Sequence, residues 1–421
     1  MKERNDHVIE FREALAKVLD HTPVLPEECR PIGEALGYTL ARDIRTEEPV
    51  PPFDSSAMDG FGVRMDDVQG ASEDHPVTLH VQAEVRPGLS SLPSLEKGKS
   101  FRIFTGSPVP PDVEAIVIKE HTKDTGDKVA ILGVPERGEH IRPKGGEFKK
   151  GAQIFSAGTL LTPPVVGMLA SLGIVEATVF KKPGVAIITT GDEVRPPTGP
   201  LEPGQIRDAN SFSLAAALQA MGITPVLTLH ARDDEEEITS AFRTALEVAH
   251  VIISVGGVSV GTYDFVKSAL ERLEVETIFW RVAMKPGKPN YFGKKGQCLL
   301  FGLPGNTVSS LVSFQMLVRP ALKKLQGRAE EKSPVLMACL DGELKKNDNR
   351  LEFVRGRLVY QDHDKLLVQP MKGRGSHMLG NLALADCLIH FPRDKSHLEK
   401  GDLVKVEPLS WSEFLARVQE K

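Results

Sequence analysis

The chain has 421 residues and a formal net charge of −5, and 41% of its residues are hydrophobic and 26% charged. This composition is typical of a globular protein with room for about two to four domains. The lack of a basic excess argues against a general nucleic-acid binder. The four cysteines include no Cys-x-x-Cys pair, which argues against a disulfide framework or a zinc knuckle. Without a signal peptide or a long apolar run, we expect a cytoplasmic protein with no membrane segment.

The first part of the chain is predicted to hold one helix and then mainly strands and turns. Apolar residues at helical spacing predict an amphipathic helix over 6–20. A strand is expected at 37–44, and the prolines and glycines of 49–60 exclude a regular element there. Short strands separated by turns follow as far as about residue 138, which indicates a small all-β piece. A helix with proline near its first turn is predicted over 163–172.

Residues 183–326 alternate regularly between strand and helix patterns. The predicted strands are 185–189, 224–229, 251–255, 277–282 and 298–301. The predicted helices start near residues 210, 233, 264 and 307, and the last one runs to 325. This alternation predicts a doubly wound, mostly parallel sheet whose ligand site lies beyond the carboxyl ends of the strands.

After a polar linker at 327–334, the C-terminal part of the chain is predicted to form a small β-barrel. Five strands are expected, at 335–340, 350–357, 366–370, 383–391 and 402–408. A short helix at 412–419 is predicted to end the chain.

The apolar run 251–255 leads directly into the glycine loop Gly256-Gly-Val-Ser-Val-Gly261. A loop of this kind lets backbone N–H groups approach an oxyanion at the start of the next helix. Its spacing differs from the dinucleotide fingerprint, and no Walker-type lysine follows. Two other interpretations stay open, a plain tight turn and a serine-hydrolase elbow, because Gly257-Val-Ser-Val-Gly261 also matches Gly-x-Ser-x-Gly with Ser259 as nucleophile. The next histidine after Ser259 is His363, in the predicted barrel.

Polar residues follow every predicted strand of the central sheet, so we expect carboxylates and lysines to meet at one edge. This combination suits magnesium-assisted chemistry on a phosphate group. The residues are Thr189 to Glu193, Asp208, Asn210, Asp233, Asp264, Lys285 to Pro289 and Gly302 to Asn306. Asp208, Asn210 and Asp233 could equally be helix caps, and the two lysines could simply be solvated.

Six motifs in this order resemble the molybdopterin molybdenumtransferase family, the molybdenum insertases that include the C-terminal domain of gephyrin. The motifs are Ser55-Ser-Ala-Met-Asp-Gly-Phe61, Phe104-Thr-Gly-Ser-Pro-Val-Pro110, Thr190-Gly-Asp-Glu193, the glycine loop with Asp264, Lys285-Pro-Gly-Lys-Pro289 and Gly302-Leu-Pro-Gly-Asn306.

The resemblance implies an α/β multidomain protein whose central sheet has the molybdopterin-binding fold. The domains it implies are an elongated N-terminal domain (1–48 and 139–180), an inserted small β domain (49–138), the α/β domain (181–326) and a C-terminal β-barrel (327–421). The implied reaction joins molybdate to adenylated molybdopterin and releases AMP with the help of Mg²⁺. A homodimer is also implied, with an upstream molybdopterin adenylyltransferase and downstream molybdoenzymes as possible partners.

The resemblance also implies a role for individual residues. Asp59, Glu147, Glu193, Asp233, Asp264 and Lys285 would be catalytic. Asp59, Asp233 and Asp264 would contact the metal. Substrate binding would fall to Thr105, Gly256, Gly257, Ser259, Gly261, Lys288, Pro304, Gly305 and Asn306. Lysines and backbone N–H groups suit a tetrahedral dianion such as molybdate, which needs no reactive nucleophile.

The sequence departs from the usual family pattern at two positions, and an alternative function remains open beside the serine hydrolase. Glu147 stands where the family has an aspartate, and Thr307 where it has a proline. Neither change removes a charge. The alternative is a non-catalytic dimeric scaffold, which is the use that gephyrin makes of this fold.

Overall fold

A computed structural model describes residues 8–257, 265–328, 335–361 and 365–412. The chain divides into two compact units. The sheet–barrel unit comprises Met1–Ala41, Gly158–Val166 and Glu176–Lys421, and the β-rich unit comprises Arg42–Ala157 and Gly167–Val175. Within the described residues, every helix is too short or too polar to span a lipid bilayer. The finer division into four domains stays a prediction.

The sheet–barrel unit contains the predicted, mostly parallel sheet. In spatial order its seven strands are Val8–Ile9, Glu276–Val282, Pro289–Lys295, Cys298–Leu303, Val251–Val255, Val185–Thr190 and Leu227–Ala231. All neighbouring pairs are parallel except the two that Pro289–Lys295 makes. Val185–Thr190 and Val251–Val255 are buried along their whole length, because helices cover both faces of the sheet.

The helices around this sheet follow the prediction, with shifted ends. They are Phe11–Asp20, Asn210–Gln219, Glu235–Val248, Phe265–Arg272 and a closing helix of three consecutive segments, Thr307–Ser313, Phe314–Val318 and Arg319–Leu325. The middle segment of the closing helix is a π-helical turn. The first helix starts five residues later than predicted, because Val8–Ile9 pairs as a strand with Arg281 and Val282.

The strand Pro289–Lys295 was not predicted, and the second strand lies at Leu227–Ala231 rather than at 224–229. Pro289 opens its strand, a position where the missing N–H costs no ladder bond. The strand returns through a turn at Gly296 to pair with Cys298–Leu303. Because a proline opens this strand and Gly296 follows it, the sequence pattern indicates a turn rather than a strand there.

The barrel has the five predicted strands, namely Leu336–Leu340, Leu351–Gln361, Lys365–Pro370, Cys387–Phe391 and Leu403–Pro408. It closes because Leu351–Gln361 pairs with both Lys365–Pro370 and Cys387–Phe391. The fourth strand starts at Cys387 rather than at the predicted residue 383. Residue 383 instead ends a short helix, Leu379–Ala383. The predicted helix at 412–419 lies outside the described residues except for Ser412. The smaller elements of this unit are Glu27–Pro31, Ile32–Glu34, Glu176–Phe180, Val194–Arg195, Ile206–Arg207, Met284–Lys285, Leu344–Lys345 and His397–Leu398.

The β-rich unit is built on a six-stranded sheet, which confirms the predicted all-β piece. Its strands in spatial order are Ala115–Ile118, Gly60–Val63, Lys99–Ile103, Val77–Val85, Lys128–Ile131 and Thr122–Asp124. Short strand pairs add Ser55–Ser56 with Ile141–Arg142 and Ile44–Arg45 with Gln153–Phe155. Two short 3₁₀ helices lie at Met65–Val68 and Lys119–His121. The helix Pro163–Ser171 has residues in both units.

Candidate active site

A hollow of about 460 Å³ lies at the carboxyl ends of the parallel strands. It is the place that the fold predicts for a ligand, since the loops after parallel strands share one edge of the sheet. Four of those loops contribute to its walls. Among the lining residues are Thr190, Gly191, Glu193, Asp208, Asn210, Asp233, Gly256, Gly257, Pro289, Pro304, Gly305 and Asn306.

The glycine loop comes so close to its neighbours that side chains do not fit. Gly256 and Gly257 have φ angles of 96° and 64°, in the left-handed region. A Cβ atom on Gly256 would lie 2.7 Å from the Thr190 hydroxyl oxygen, and one on Gly257 would clash with Val266. Bare backbone therefore forms this wall of the hollow, as an oxyanion loop requires. Ser259, Gly261 and Asp264 of the same motif lie outside the described residues.

The turn after Cys298–Leu303 also lines the hollow, through Pro304, Gly305 and Asn306, and leads into the closing helix. Asn306 is the N-cap residue of Thr307–Ser313, but its side chain makes no capping hydrogen bond. Asn210 had two possible roles, as a helix cap or as a site residue. Its amide nitrogen donates to the carbonyl oxygen of Gly305 over 2.8 Å, so the side chain joins two loops of the hollow.

The aspartates around the hollow divide into helix caps and residues without a capping role. Asp208 accepts hydrogen bonds from the backbone and hydroxyl of Ser211, at 2.9 and 2.6 Å, which is capping. Asp234, rather than Asp233, caps Glu235–Val248 by accepting from the backbone of Glu237. Asp233 instead lines the hollow and exchanges long backbone-to-carboxylate hydrogen bonds with Asp192.

Glu193 is exposed at the mouth of the hollow, where its carboxylate folds back over Gly191. Gly191 has a φ of 137°, and a Cβ there would lie 2.6 Å from the Glu193 carboxylate. The glycine therefore makes room for the carboxylate.

The segment from Lys285 to Pro289, the lysine turn, borders the hollow through Pro289. Its two lysines, Lys285 and Lys288, have different surroundings. The Lys285 ammonium lies 3.3 Å from the Asp348 carboxylate and 3.4 Å from that of Glu352. Its strand, Met284–Lys285, also pairs with Leu351 and Glu352 of the barrel. Lys288 is exposed, and the part of the chain that the structure describes offers its ammonium no partner.

Asp348 and Glu352 are acids that the sequence did not single out. Partial burial favours a raised pKa for Asp348, but hydrogen bonds from the side chain and backbone of Arg350, with the charges of Arg350 and Lys285, lower it to about 2. Glu352 is buried and also pairs with Arg374 at 3.4 Å. No motif marks these acids, because only strand pairing brings them to Lys285.

The β-rich unit holds three further predicted site residues, two of which are in contact. Asp59 accepts hydrogen bonds from both the backbone N–H and the hydroxyl of Thr105, each at 2.8 Å. These two hydrogen bonds hold the pKa of Asp59 below its usual value, and the bond from the backbone N–H has the larger effect. The charge of Lys119 lowers this pKa by a smaller amount. Glu147 is exposed, in a loop whose backbone bonds to Val50.

The donor set of the hollow suits a hard cation only in part. Among the described residues, no group of three or more His, Cys, Asp or Glu side chains could hold a metal ion. A Mg²⁺ site needs fewer protein ligands than three, since the ion is commonly held by one or two carboxylates together with water and substrate phosphate. The oxygen of Asp233, which caps no helix, fits that requirement.

Three sequence profiles match nearly the whole chain. They are described as "MoeA N-terminal region (domain I and II)" for residues 9–173, "Probable molybdopterin binding domain" for 186–324 and "MoeA C-terminal region (domain IV)" for 338–409.

Individual relatives agree with these profiles in sequence and in structure. The molybdopterin molybdenumtransferase of Haemophilus influenzae is 34% identical, over 94% of this chain and 98% of its own. Molybdopterin molybdenumtransferase 2 of Mycobacterium tuberculosis is 35% identical, over 94% of this chain and 100% of its own. The crystal structure of the molybdopterin biosynthesis MoeA protein of Pyrococcus horikoshii OT3 aligns with a TM-score of 0.81 at 29% identity, covering 96% of this chain and 100% of that one. The chain therefore belongs to the molybdopterin molybdenumtransferase family, a family of enzymes of molybdenum cofactor biosynthesis.

Proposed function

We propose that this protein inserts molybdenum into adenylated molybdopterin, with molybdate as the second substrate and AMP as a product. The observation that carries the proposal is the hollow itself. A side-chain-free glycine wall, an uncapped helix N-terminus and the carboxylate of Asp233 meet there, beside the lysine turn. This arrangement suits an anionic phosphate ester and offers no preformed nucleophile.

In the proposed reaction, the walls of the hollow and the adjoining lysine turn have separate tasks. The backbone of Gly256 and Gly257 and the start of the closing helix would bind phosphate oxygens. Asp233 and Glu193 would hold Mg²⁺, which would neutralise charge on the phosphate that departs with AMP. Lys285 and Lys288 would bind molybdate through its negative charge.

From their places in the glycine-loop motif, we also propose roles in this reaction for Asp264, Ser259 and Gly261. Roles for Asp59, Thr105 and Glu147 are proposed separately, from the motifs of the β-rich unit. A homodimer and a cytoplasmic location are part of the same proposal. The scaffold and serine-hydrolase alternatives receive no support from the described residues, and both Ser259 and His363 lie outside them.

The test uses two neighbouring aspartates with different surroundings. We expect Asp233→Asn to lower kcat for AMP release by about 100-fold or more, because it would weaken binding of a metal ion whose charge stabilises the transition state by several kcal/mol. The matched variant Asp234→Asn should retain activity, because asparagine caps a helix as well as aspartate does. Release of AMP is measured with adenylated molybdopterin, with and without molybdate and Mg²⁺. A wild-type protein that released no AMP with both present would refute the proposal.

A further inference from the structure

The lysine turn is held in shape from inside by a buried asparagine. The Asn290 amide nitrogen donates to the carbonyl oxygen of Gly287 and lies 3.7 Å from the sulfur of Met284. Asn290 is 1% exposed, so water cannot replace this hydrogen bond. At the base of the turn, the backbone N–H of Val282 donates to the carbonyl oxygen of Lys288 over 3.0 Å.

The same turn packs tightly against the closing helix. Gly287 has a φ of 102°, and a Cβ there would lie 2.7 Å from the Ser313 hydroxyl and 3.1 Å from the Asn290 amide nitrogen. Ser313 is fully buried in the first segment of that helix, whose N-terminus borders the hollow. The turn is therefore fixed relative to the wall that would bind phosphate.

We propose that Asn290 is a positioning residue for the oxyanion, acting through the backbone of the turn that carries Lys285 and Lys288. This inference rests on the proposed function, because it assigns those lysines to molybdate. Asn290 itself touches no substrate in this proposal. It fixes Gly287, which lies between the two lysines.

The physical need for such a residue comes from the entropy of lysine side chains. Two flexible ammonium groups bind a small dianion well only if their backbone is already in place. Lys285 is additionally fixed by Asp348 and Glu352, but Lys288 has no partner among the described residues. The position of Lys288 therefore depends on the turn, and the turn depends on Asn290.

The test compares Asn290→Ala with Val404→Ala, a substitution in the barrel's own core. We expect Asn290→Ala to raise both KM and Kd for molybdate about tenfold, the size of one net hydrogen bond, with a smaller change in kcat. Val404→Ala should lower thermal stability and leave KM unchanged. If Asn290→Ala kept the wild-type KM and Kd, or if both variants raised KM equally, a positioning role would be excluded.

Hydrogen exchange separates this inference from the proposed function. Asn290→Ala should speed amide exchange in 282–289 at least tenfold, while exchange in the strand Val251–Val255 stays as in the wild type. Molybdate binding is followed by calorimetry without the pterin. A wild-type protein that bound molybdate but released no AMP would refute the proposed function alone. Unchanged exchange in the turn would refute the role of Asn290, whatever the activity.

Discussion

Asp59 and Thr105 illustrate how two motifs far apart in the sequence meet at a single carboxylate. Two hydrogen bonds from Thr105 stabilise the ionised form of Asp59, so its pKa is lowered. Because the folded-state pKa lies below the unfolded value of about 3.9, this interaction adds stability above that pH. The contribution is lost as the pH falls through the folded-state pKa.

Replacing Thr105 by valine should therefore raise the pKa of Asp59 towards its usual value. The hydroxyl donor is removed but the backbone donor remains, so the rise is partial. The measurement is an NMR titration of the Asp59 carboxyl carbon. Thr125→Val removes a hydroxyl that donates only to a backbone carbonyl, and it should leave that titration unchanged. An unaltered Asp59 titration in the Thr105 variant would contradict the assigned cause.

At the end of a buried strand, the glycine loop requires residues without a side chain at Gly256 and Gly257. Val251–Val255 is a central strand of the sheet, and the chain after it passes close to Thr190 at Gly256 and Gly257, both with positive φ. Only glycine adopts the left-handed conformation there without strain and also leaves room for the neighbouring backbone. The sequence signal for this turn was therefore strong, although it did not distinguish a ligand loop from a plain turn.

Gly256→Ala should destabilise the protein by about 2–4 kcal/mol, since it adds a steric clash to an unfavourable φ. Gly296→Ala is the matched control, because its φ is 58° and the space around it is empty. The control should cost only about 1 kcal/mol for the conformation itself. Urea denaturation measures both. Equal costs for the two variants would show that the contact with Thr190 is unimportant.

At the scale of the whole molecule, the central sheet and the barrel share a hydrophobic core. Phe353 of the barrel packs edge-on against Phe11 of the first helix, with ring centroids 5.3 Å apart. The same core continues through strands of the sheet and through Leu388 and Leu409 of the barrel. Phe391 lies instead in a core that belongs to the barrel alone. Loss of packing in this shared core should therefore weaken the sheet and the barrel together.

Phe353→Ala should cost about 3–5 kcal/mol and weaken the sheet and the barrel together. Hydrogen exchange would show this as faster exchange in both Val251–Val255 and Cys387–Phe391. Phe391→Ala removes an equally buried ring and should speed exchange mainly in the barrel. The shared-core interpretation fails if Phe353→Ala leaves exchange in the central sheet at the wild-type rate.

The sequence by itself determined the alternation of strands and helices, the mostly parallel sheet and the barrel, because hydrophobic periodicity and glycine positions are local properties. It also placed Gly256, Asp233 and Asn306 at one edge, since loops after parallel strands share an edge. It missed the strands Val8–Ile9 and Pro289–Lys295. Only the tertiary structure decided that Asp234 takes the capping role and leaves Asp233 in the hollow. It alone brought Glu352 to Lys285 and Asn290 to Gly287, because such contacts depend on strand register and packing, which leave no signal in local sequence.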